Sequence, residues 1–242
     1  MKKIELLLSN LSNSSSKLNL RKWNYYQEWN DSIFLHFEVP LHLLNDMIPS
    51  GLELDSYKNK VYISLVAFTM NKIRPRNLMS LKFISDFHEI NIRTYVKNNN
   101  KEGVYFLNIE AEKKLSVFIA RKLSKLPYEK SFIKRNNNNY KSINSKRKLE
   151  LDIDFKIQNK LIVKTNFDKW LLERYCLFYE EDSSIFRYDI YHQEWEIQEL
   201  DLLKMKINYQ FGDMTLDADN LVKYHYSKGV NVLSWARVKA SS

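Results

Sequence analysis

Residues 87–96 have the sequence Phe87-His88-Glu89-Ile90-Asn91-Ile92-Arg93-Thr94-Tyr95-Val96. This composition, rich in β-branched and aromatic side chains, predicts a β-strand, in which successive side chains point to opposite faces. One face of that strand carries Glu89, Asn91, Arg93 and Tyr95. On a surface strand these side chains would be solvated, whereas inside a closed or half-closed sheet they would line a polar cavity. Both alternatives are open from this segment alone.

Strand patterns recur along the chain, and helix patterns are few. The predicted strands are residues 33–39, 60–71, 87–96, 103–111, 141–149, 151–157, 170–179, 185–192, 195–206 and 229–235. Short helices are predicted at 41–47 and 115–126, and residues 210–222 are predicted to be helical or irregular. Polar segments at 98–103 and 180–184 predict hairpin turns. The pattern indicates an α+β protein, mainly antiparallel β, with a barrel or sandwich and a few short helices.

The composition favours one folded domain. The chain has 242 residues, of which 44% are hydrophobic, enough for a substantial core. No linker rich in Pro, Gly or Ser divides the sequence. We therefore expect a single β-barrel domain over residues 21–242, preceded by a loose helical or disordered extension over residues 1–20, which contains Ser14-Ser15-Ser16.

Charge and cysteine content bear on partners and location. The formal net charge is +9, but the basic excess is spread along the chain, and its densest part, residues 130–148, is predicted to be a mobile hairpin tip or a solvated loop. A nucleic-acid partner is therefore the less favoured interpretation. We predict a soluble cytoplasmic protein with no membrane partner. The chain has a single cysteine, Cys176, and no apolar run near 20 residues, and its start resembles a signal peptide only briefly.

Several motifs resemble the YqjF-like family of uncharacterised conserved bacterial proteins. They are residues 34–40, 49–55, 73–76, 87–96, 120–123 with 126–128, 170–177, 190–192 with Trp195 and Gln198, and 229–232 with Trp235. The resemblance covers the chain from about Trp29 onward. It implies an acetoacetate decarboxylase-like β-barrel or cone with a central cavity that binds a small molecule, and it implies no particular activity.

Acetoacetate decarboxylase forms a Schiff base through a lysine that a second lysine keeps neutral. Lys113 and Lys114 follow a predicted strand here, but adjacent lysines are common in so Lys-rich a chain, and strand alternation would separate the two amines. We expect a solvated helix entrance at this position, and a Schiff-base role stays an open, less favoured alternative.

Acid–base chemistry is the stronger hypothesis for residues 87–96. Glu89, if desolvated, would have a raised pKa and would serve as the catalytic general base. Arg93 would bind a carboxylate, because its planar guanidinium donates two parallel hydrogen bonds. The other candidate ligand-binding residues are Asn91, Tyr95, Arg76 and Glu173. In the competing interpretation, Glu89 and Arg93 pair with residues such as Arg76 or Glu173 on neighbouring segments.

Other chemical motifs are not found in the sequence. The five histidines show neither HExxH nor His-x-His spacing, so we expect no metal, and His36 and His192 are predicted to be hydrogen-bonded core residues. Four scattered glycines cannot form a phosphate-binding loop, and we expect no cofactor. Arg174 is predicted either to reach solvent or to lie buried against a carboxylate, and Cys176 to be a small buried residue.

Three classes of function stay open. The favoured one is a cavity protein that binds a small organic acid, with lyase- or isomerase-type acid–base chemistry as a possible activity. The second is a nucleic-acid-binding protein that uses its basic surface. The third is a structural or interaction module in which an exposed edge or aromatic patch forms a homo-oligomer. The sequence does not identify the ligand or establish turnover.

Overall fold

The computed structural model describes residues 2–13 and 17–240. The helices are α1 (Lys2–Ser12), α2 (Leu41–Asn45), α3 (Lys82–Ser85), α4 (Lys114–Ser124) and α5 (Asn166–Leu172), with a 3-10 turn at Lys17–Leu20. The strands are β1 (Tyr25–Val39), β2 (Glu53–Leu54), β3 (Val61–Pro75), β4 (Phe87–Asn98), β5 (Lys101–Ala111), β6 (Tyr128–Lys130), β7 (Phe132–Arg135), β8 (Asn139–Asn144), β9 (Leu149–Leu161), β10 (Cys176–Glu181), β11 (Ser184–His192), β12 (Gln198–Phe211), β13 (Met214–Leu216), β14 (Leu221–Ser234) and β15 (Val238–Lys239). The predicted α+β class, dominated by antiparallel strands, is confirmed.

Part of the sheet closes into a barrel. Its strands follow the order β11-β10-β5-β4-β3-β1-β14, and β14 pairs again with β11, where Ile190 lies opposite Ser234. The pairing of β10 with β5 is parallel, whereas the other pairs of this ring are antiparallel. Both predicted hairpin turns are confirmed, since they join β4 to β5 and β10 to β11.

The remaining long strands extend the sheet beyond the ring. From β14 the order continues through β12, β9, β8 and β7. This extension covers the outer face of β1, β3 and β4, so that Ile90 and Ile92 of β4 pack in one core with Tyr140, Leu151 and Ile153. Burying both faces of β4 explains why nearly every residue from Phe87 to Val96 is shielded from solvent.

Helix α1 packs against the barrel through one apolar face. Leu7 and Leu11 are almost fully buried beside Trp23, Leu233 and Trp235. Lys2–Ser12 thus adopts the helical alternative of the expected extension, and this helix is packed rather than loose. Ser14-Ser15-Ser16, which belonged to the same prediction, lies outside the described residues. The division between residues 1–20 and 21–242 stays a prediction.

The predicted strand at residues 170–179 is wrong in its first half, because residues 166–172 form α5. Thr165 begins this helix with a capping box: its Oγ accepts a hydrogen bond from the backbone N–H of Asp168 at 3.2 Å, and its own N–H donates to the Asp168 carboxylate at 2.8 Å. Two orphan donors at the helix start are thereby satisfied. Leu171 and Leu172 then pack inside the barrel.

Two further segments form hairpins, and the one at residues 210–222 corrects the expectation of a helical or irregular segment. Residues 210–222 hold the end of β12, all of β13 and the start of β14, in a hairpin where Phe211 pairs with Met214. The basic segment 130–148 contains β7 and β8, which pair as a hairpin, so the hairpin alternative is the one that the structure adopts. Ile133 and Tyr140 of this hairpin are buried in the outer core. Alternating burial along β8 provides the apolar face that holds this segment on the protein.

Candidate functional site

A cavity of about 380 Å³ lies inside the barrel. Its floor is the inner face of β1, β3, β4 and β5, and its roof consists of α3, α4 and the side chains of Leu78, Met79 and Leu81. The roof is held together by Ser116 of α4, whose hydroxyl donates to the Ile84 carbonyl of α3 at 2.7 Å. The size falls within the range of small-molecule sites, about 300–1,000 Å³.

Strand β4 presents Glu89, Asn91 and Arg93 to this cavity. The intervening residues Ile90 and Ile92 point the opposite way, into the outer core. The alternation expected from the sequence is therefore present, and the polar face of this strand lies inside the barrel. Glu89 is 3% exposed, Asn91 is 7% exposed and Arg93 is 8% exposed. This burial excludes the alternative of a solvated strand face.

The Glu89 carboxyl group lies in a poorly solvated part of the wall. The Tyr128 hydroxyl donates a hydrogen bond to its Oε2 at 3.2 Å. Burial raises the pKa of Glu89 to about 8, against the smaller lowering effects of hydrogen bonds with Tyr128 and Asn91. Near neutral pH this group therefore exists in both protonation states, which suits a general acid–base residue.

Arg93 is a buried cation without a carboxylate partner. No acidic side chain of the described residues forms a salt bridge with it. Its Nη2 makes a long hydrogen bond of 3.5 Å to the Leu171 carbonyl, and its guanidinium lies over the Phe34 ring, 5.9 Å from the centroid. Burial lowers the pKa of Arg93, and its Nε has no hydrogen-bond partner among the described residues.

Further polar atoms in the wall lack partners among the described residues. They are the Trp29 Nε1, the Ser32 Oγ and the Asn91 Oδ1. Trp29 and Ser32 both face inward although they are three positions apart, because β1 has an irregular register between Asn30 and Ile33, where Asp31 has a φ of 52°. A bulge shifts the alternation by one residue. Buried polar atoms of this kind are normally satisfied, so the wall is suited to a polar ligand group.

A second buried arginine, Arg174, touches the cavity but is paired. Its Nη1 lies 2.7 Å from Asp55 Oδ2, and its Nε donates to the Trp170 carbonyl at 2.9 Å. The guanidinium also stacks over Tyr95 and Trp170, at 5.0 and 4.6 Å from the ring centroids. The alternative of burial against a carboxylate is the one that the structure adopts. Arg174 is therefore paired within the wall, whereas Arg93 has no acidic partner among the described residues.

Three predicted ligand-binding residues lie off the cavity wall. Tyr95 is fully buried, and its hydroxyl donates to the Leu171 carbonyl at 3.0 Å. Arg76 is exposed, with its guanidinium 5.5 Å from the centroid of the Trp23 ring. Glu173 forms a salt bridge with Lys164 at 2.5 Å. The grouping of these three residues with the site is therefore corrected. Tyr95 is buried against α5, Arg76 lies where the chain turns outward after β3, and Glu173 is held in a local ion pair.

Two further expectations concern the arginines beside Pro75 and the lysine pair Lys113 and Lys114. Arg74, near the end of β3, lines the cavity, whereas Arg76 does not. Lys113 and Lys114 stand at the start of α4, where the Lys113 amine donates to the Lys82 carbonyl at 3.1 Å. No lysine lines the cavity in the described part of the chain. A solvated helix entrance is thus the structural role of this lysine pair.

A second polar cluster, the histidine chain, was not predicted. It runs from Asp168 through His225, His36 and Ser64 to Tyr95, with successive distances of 2.7, 3.0, 2.6 and 2.5 Å. Burial lowers the pKa of His36 well below its ordinary value, and His225 and Arg93 lower it further. The sequence did not indicate this cluster because its members come from four strands and α5, which lie far apart along the chain. Only the burial of His36 was predictable.

The described residues contain no group of three or more His, Cys, Asp or Glu side chains placed to hold a metal ion. Cys176 is fully buried, and burial raises the pKa of its thiol to about 12, as expected for an inert core residue. His192 is likewise buried, with Nδ1 2.7 Å from the Gln193 carbonyl. Within residues 2–13 and 17–240, no helix is both long and apolar enough to span a membrane.

The barrel has the acetoacetate decarboxylase-like fold. The enduracididine biosynthesis enzyme MppR, in complex with the condensation product of pyruvate and imidazole 4-carboxaldehyde, superposes with a TM-score of 0.63 at 8% identity over 95% of this chain and 93% of its own. An acetoacetate decarboxylase superposes with a TM-score of 0.60 at 12% identity over 96% of both chains. At these identities the likeness shows the fold alone.

Sequence similarity gives the family. DUF2071, a family described as an uncharacterized conserved protein, matches residues 26–231. The uncharacterized protein YqjF of Bacillus subtilis (strain 168) is 32% identical over 222 residues, which is 88% of this chain and 91% of the relative. The chain belongs to the DUF2071 family, and the resemblance to YqjF-like proteins is confirmed.

Proposed function

We propose that this protein binds an organic acid in the barrel cavity, with the carboxylate of the ligand on Arg93. The observation that carries the proposal is that Arg93, 8% exposed and in the cavity wall, has no carboxylate partner among the described residues. Removing a guanidinium from water costs several kcal/mol unless an anion and hydrogen bonds offset it. A bound carboxylate would supply both.

The neighbouring polar groups support the same ligand chemistry. The free Arg93 Nε and Trp29 Nε1 are donors, and the Ser32 hydroxyl both donates and accepts. A carboxylate accepts several hydrogen bonds at once, so donors on two strands would hold it in a fixed orientation. The charge of Arg174, in contrast, is already balanced by Asp55.

Glu89 would perform acid–base chemistry on the bound acid. With a pKa of about 8, its ionised form would accept a proton from a carbon next to a carbonyl, and the resulting carboxylic acid would return a proton to the product. Such a proton exchange needs no covalent intermediate. Schiff-base chemistry has no comparable support, since Lys113 and Lys114 lie away from the wall. Structures of MppR hold pyruvate and a pyruvate condensation product, which agrees with an organic acid as the ligand of this fold.

Binding is tested by thermal shift of the purified protein with pyruvate, acetoacetate, benzoate and octanoate. A ligand that binds only the folded protein raises its melting temperature. We expect at least one acid to do so in the parent and in Arg76→Met, the matched control that removes an exposed arginine off the cavity. The shift should be absent in Arg93→Met. If no acid shifts the melting temperature, or if Arg93→Met responds like the parent, the proposal is wrong.

The acid–base role has its own experiment. A keto acid bound in heavy water should exchange the hydrogens next to its carbonyl for deuterium, measured by NMR, faster than without protein. We expect Glu89→Gln to bind the acid and to lose this exchange. Unchanged exchange in Glu89→Gln would contradict a role for Glu89 and leave the binding proposal standing.

A further inference from the structure

The cavity is longer than a short keto acid. Glu89 and Arg93 lie on the same strand face four positions apart, which is about 13 Å along a β-strand. A four-carbon acid is about 5 Å long, given carbon–carbon bonds of about 1.5 Å. Such an acid therefore spans less than half of the wall between these two residues. The volume of about 380 Å³ equals that of about a dozen waters, at about 30 Å³ each, which exceeds what so short an acid fills.

The walls between and beyond these polar groups are apolar. The side chains that line them are mostly aromatic or aliphatic, among them Phe68, Phe87, Val104, Phe106 and Ile109. Several belong to the inner core of the barrel. Apolar walls offer water few hydrogen-bond partners. The part of the ligand that contacts these walls is therefore expected to be hydrocarbon.

The rim of the cavity is apolar as well. Leu78, Met79 and Leu81 line the cavity and are nevertheless 60%, 87% and 53% exposed. Exposed clusters of large apolar side chains are uncommon on soluble proteins and mark ligand grooves or contact surfaces. Here the cluster continues into the apolar wall, so it forms the entrance for a ligand with an apolar part.

We infer that the ligand is an amphipathic carboxylic acid, with its carboxylate on Arg93 and an apolar body along the wall. This inference rests on the proposed function, because it uses Arg93 as the carboxylate site. It goes further in assigning the ligand class: an acid with a medium-length alkyl or ring-bearing body rather than a short keto acid.

Isothermal titration with butyrate, hexanoate, octanoate and decanoate tests the inference. Each additional methylene buried in an apolar site contributes about 0.8 kcal/mol, so the affinity is expected to rise about fourfold per methylene. A variant that shortens the cavity provides the second measurement. Ser116, Ile119 and Ala120 form the inner face of α4, and Ala120→Trp would fill space in the roof.

We expect Ala120→Trp to weaken decanoate binding at least tenfold while butyrate binding stays within twofold of the parent. Leu115→Trp, on the exposed face of the same helix, is the matched control and should bind both acids like the parent. Equal affinity for all four acids, lost in Arg93→Met, would overturn the inference and leave the proposed function intact. If none of the acids binds, the proposed function fails and the inference fails with it.

Discussion

The Nε2 atom of His36 lies 3.0 Å from the Nδ1 atom of His225 inside the barrel wall. Both rings are almost fully buried, with 0% and 1% exposure. The pair joins Ser64 on one side to Asp168 on the other. Burial raises the pKa of a carboxyl group, yet hydrogen bonds from His225, Lys223 and Thr165 outweigh it and lower the pKa of Asp168 far below its ordinary value. The histidine chain therefore links the start of α5 to β1, β3 and β14.

From the histidine chain we predict that the protein loses stability in mild acid. The folded protein keeps His36 neutral because burial lowers its pKa, and His225, Arg93 and Lys223 lower it further, although Asp168 raises it. The unfolded chain takes up a proton near pH 6.5. The free energy of unfolding should therefore fall below pH 6.5, by about 1.4 kcal/mol per pH unit for this residue. Urea unfolding at pH 5, 6, 7 and 8 measures the slope.

The variant His36→Gln isolates this contribution. It should be less stable than the parent at pH 7, since buried hydrogen bonds to Ser64 and His225 are weakened, and it should lose less stability between pH 7 and pH 5. His88 and His192, whose pKa values burial also lowers, retain their share of the slope. The exposed His42 offers the control, His42→Gln, with the parent slope. An unchanged slope in His36→Gln would refute the assignment.

Glu89 predicts the opposite dependence on pH. Its pKa is raised by burial to about 8 in the folded protein, whereas the unfolded chain releases this proton near pH 4.3. The folded state therefore loses stability as the pH rises from about 4.3 to 8. Glu89→Gln should remove this loss and stabilise the protein at pH 8, by at most about 5 kcal/mol at about 1.4 kcal/mol per pH unit.

Denaturant unfolding of Glu89→Gln at pH 5 and pH 8 measures this effect, and the gain should be larger at pH 8. Glu196→Gln, at an exposed position, is the control and should follow the parent at both pH values. A Glu89→Gln variant that is destabilised equally at both would indicate that the carboxylate is ionised and satisfied in the fold.

The cavity wall depends on a close approach of two strands at Gly229. This residue pairs with Asn30 beside the β1 irregularity, has a φ of +128°, and a Cβ there would lie 2.1 Å from the Trp29 carbonyl oxygen. Gly229→Ala is therefore expected to destabilise the protein by about 3 kcal/mol or more through overpacking and strain.

Gly212 is the matched control for this prediction. It has a φ of +59° and no atom within 4 Å of the Cβ position, so Gly212→Ala carries only the left-handed backbone penalty of about 1–2 kcal/mol. The difference between the two variants, measured by urea unfolding, isolates the steric part. Equal losses would mean that β1 moves freely away from Gly229.

The sequence predicted the barrel wall well where two signals agreed. Along β4, alternation and strand propensity both apply, because Glu89 and Arg93 face the cavity while Ile90 and Ile92 face the outer core. Propensity alone was misleading in α5, where an aromatic and leucine-rich segment suits a strand or a buried helix equally. The spacing of Thr165 and Asp168 in the capping box was the signal that decides this segment.

Other parts of the site had no local signal. Trp29 and Ser32 share the inner face only because of an extra residue in β1. Such a bulge interrupts the alternation of polar and apolar residues, so the alternation does not predict it. The apolar roof, with Leu78 and Met79 exposed at its rim, depends on how residues 76–81 pack over the barrel. Tertiary contacts of this kind combine segments far apart in the chain, which patterns within one segment do not report.

The two buried arginines of the cavity wall should respond in opposite ways to the same substitution. Arg174 is bonded to Asp55 at 2.7 Å, so Arg174→Met removes one member of a buried pair and should destabilise the protein by about 3 kcal/mol. Arg93 has no such partner among the described residues, so Arg93→Met replaces an unpaired buried cation with an apolar side chain of similar length. Its unfolding free energy without ligand should rise, by about 1–3 kcal/mol.

Urea unfolding of the parent and both variants, without added acid, measures this contrast. A stability gain in Arg93→Met together with the loss of acid binding would mean that the protein retains a destabilising charge for the sake of its ligand, as functional sites commonly do. If Arg93→Met is destabilised as much as Arg174→Met, the hydrogen bond to Leu171 and the contact with Phe34 are sufficient to satisfy the guanidinium. Arg93 would then be a structural residue, and the carboxylate site would have to be sought at another cation of the wall, Arg74.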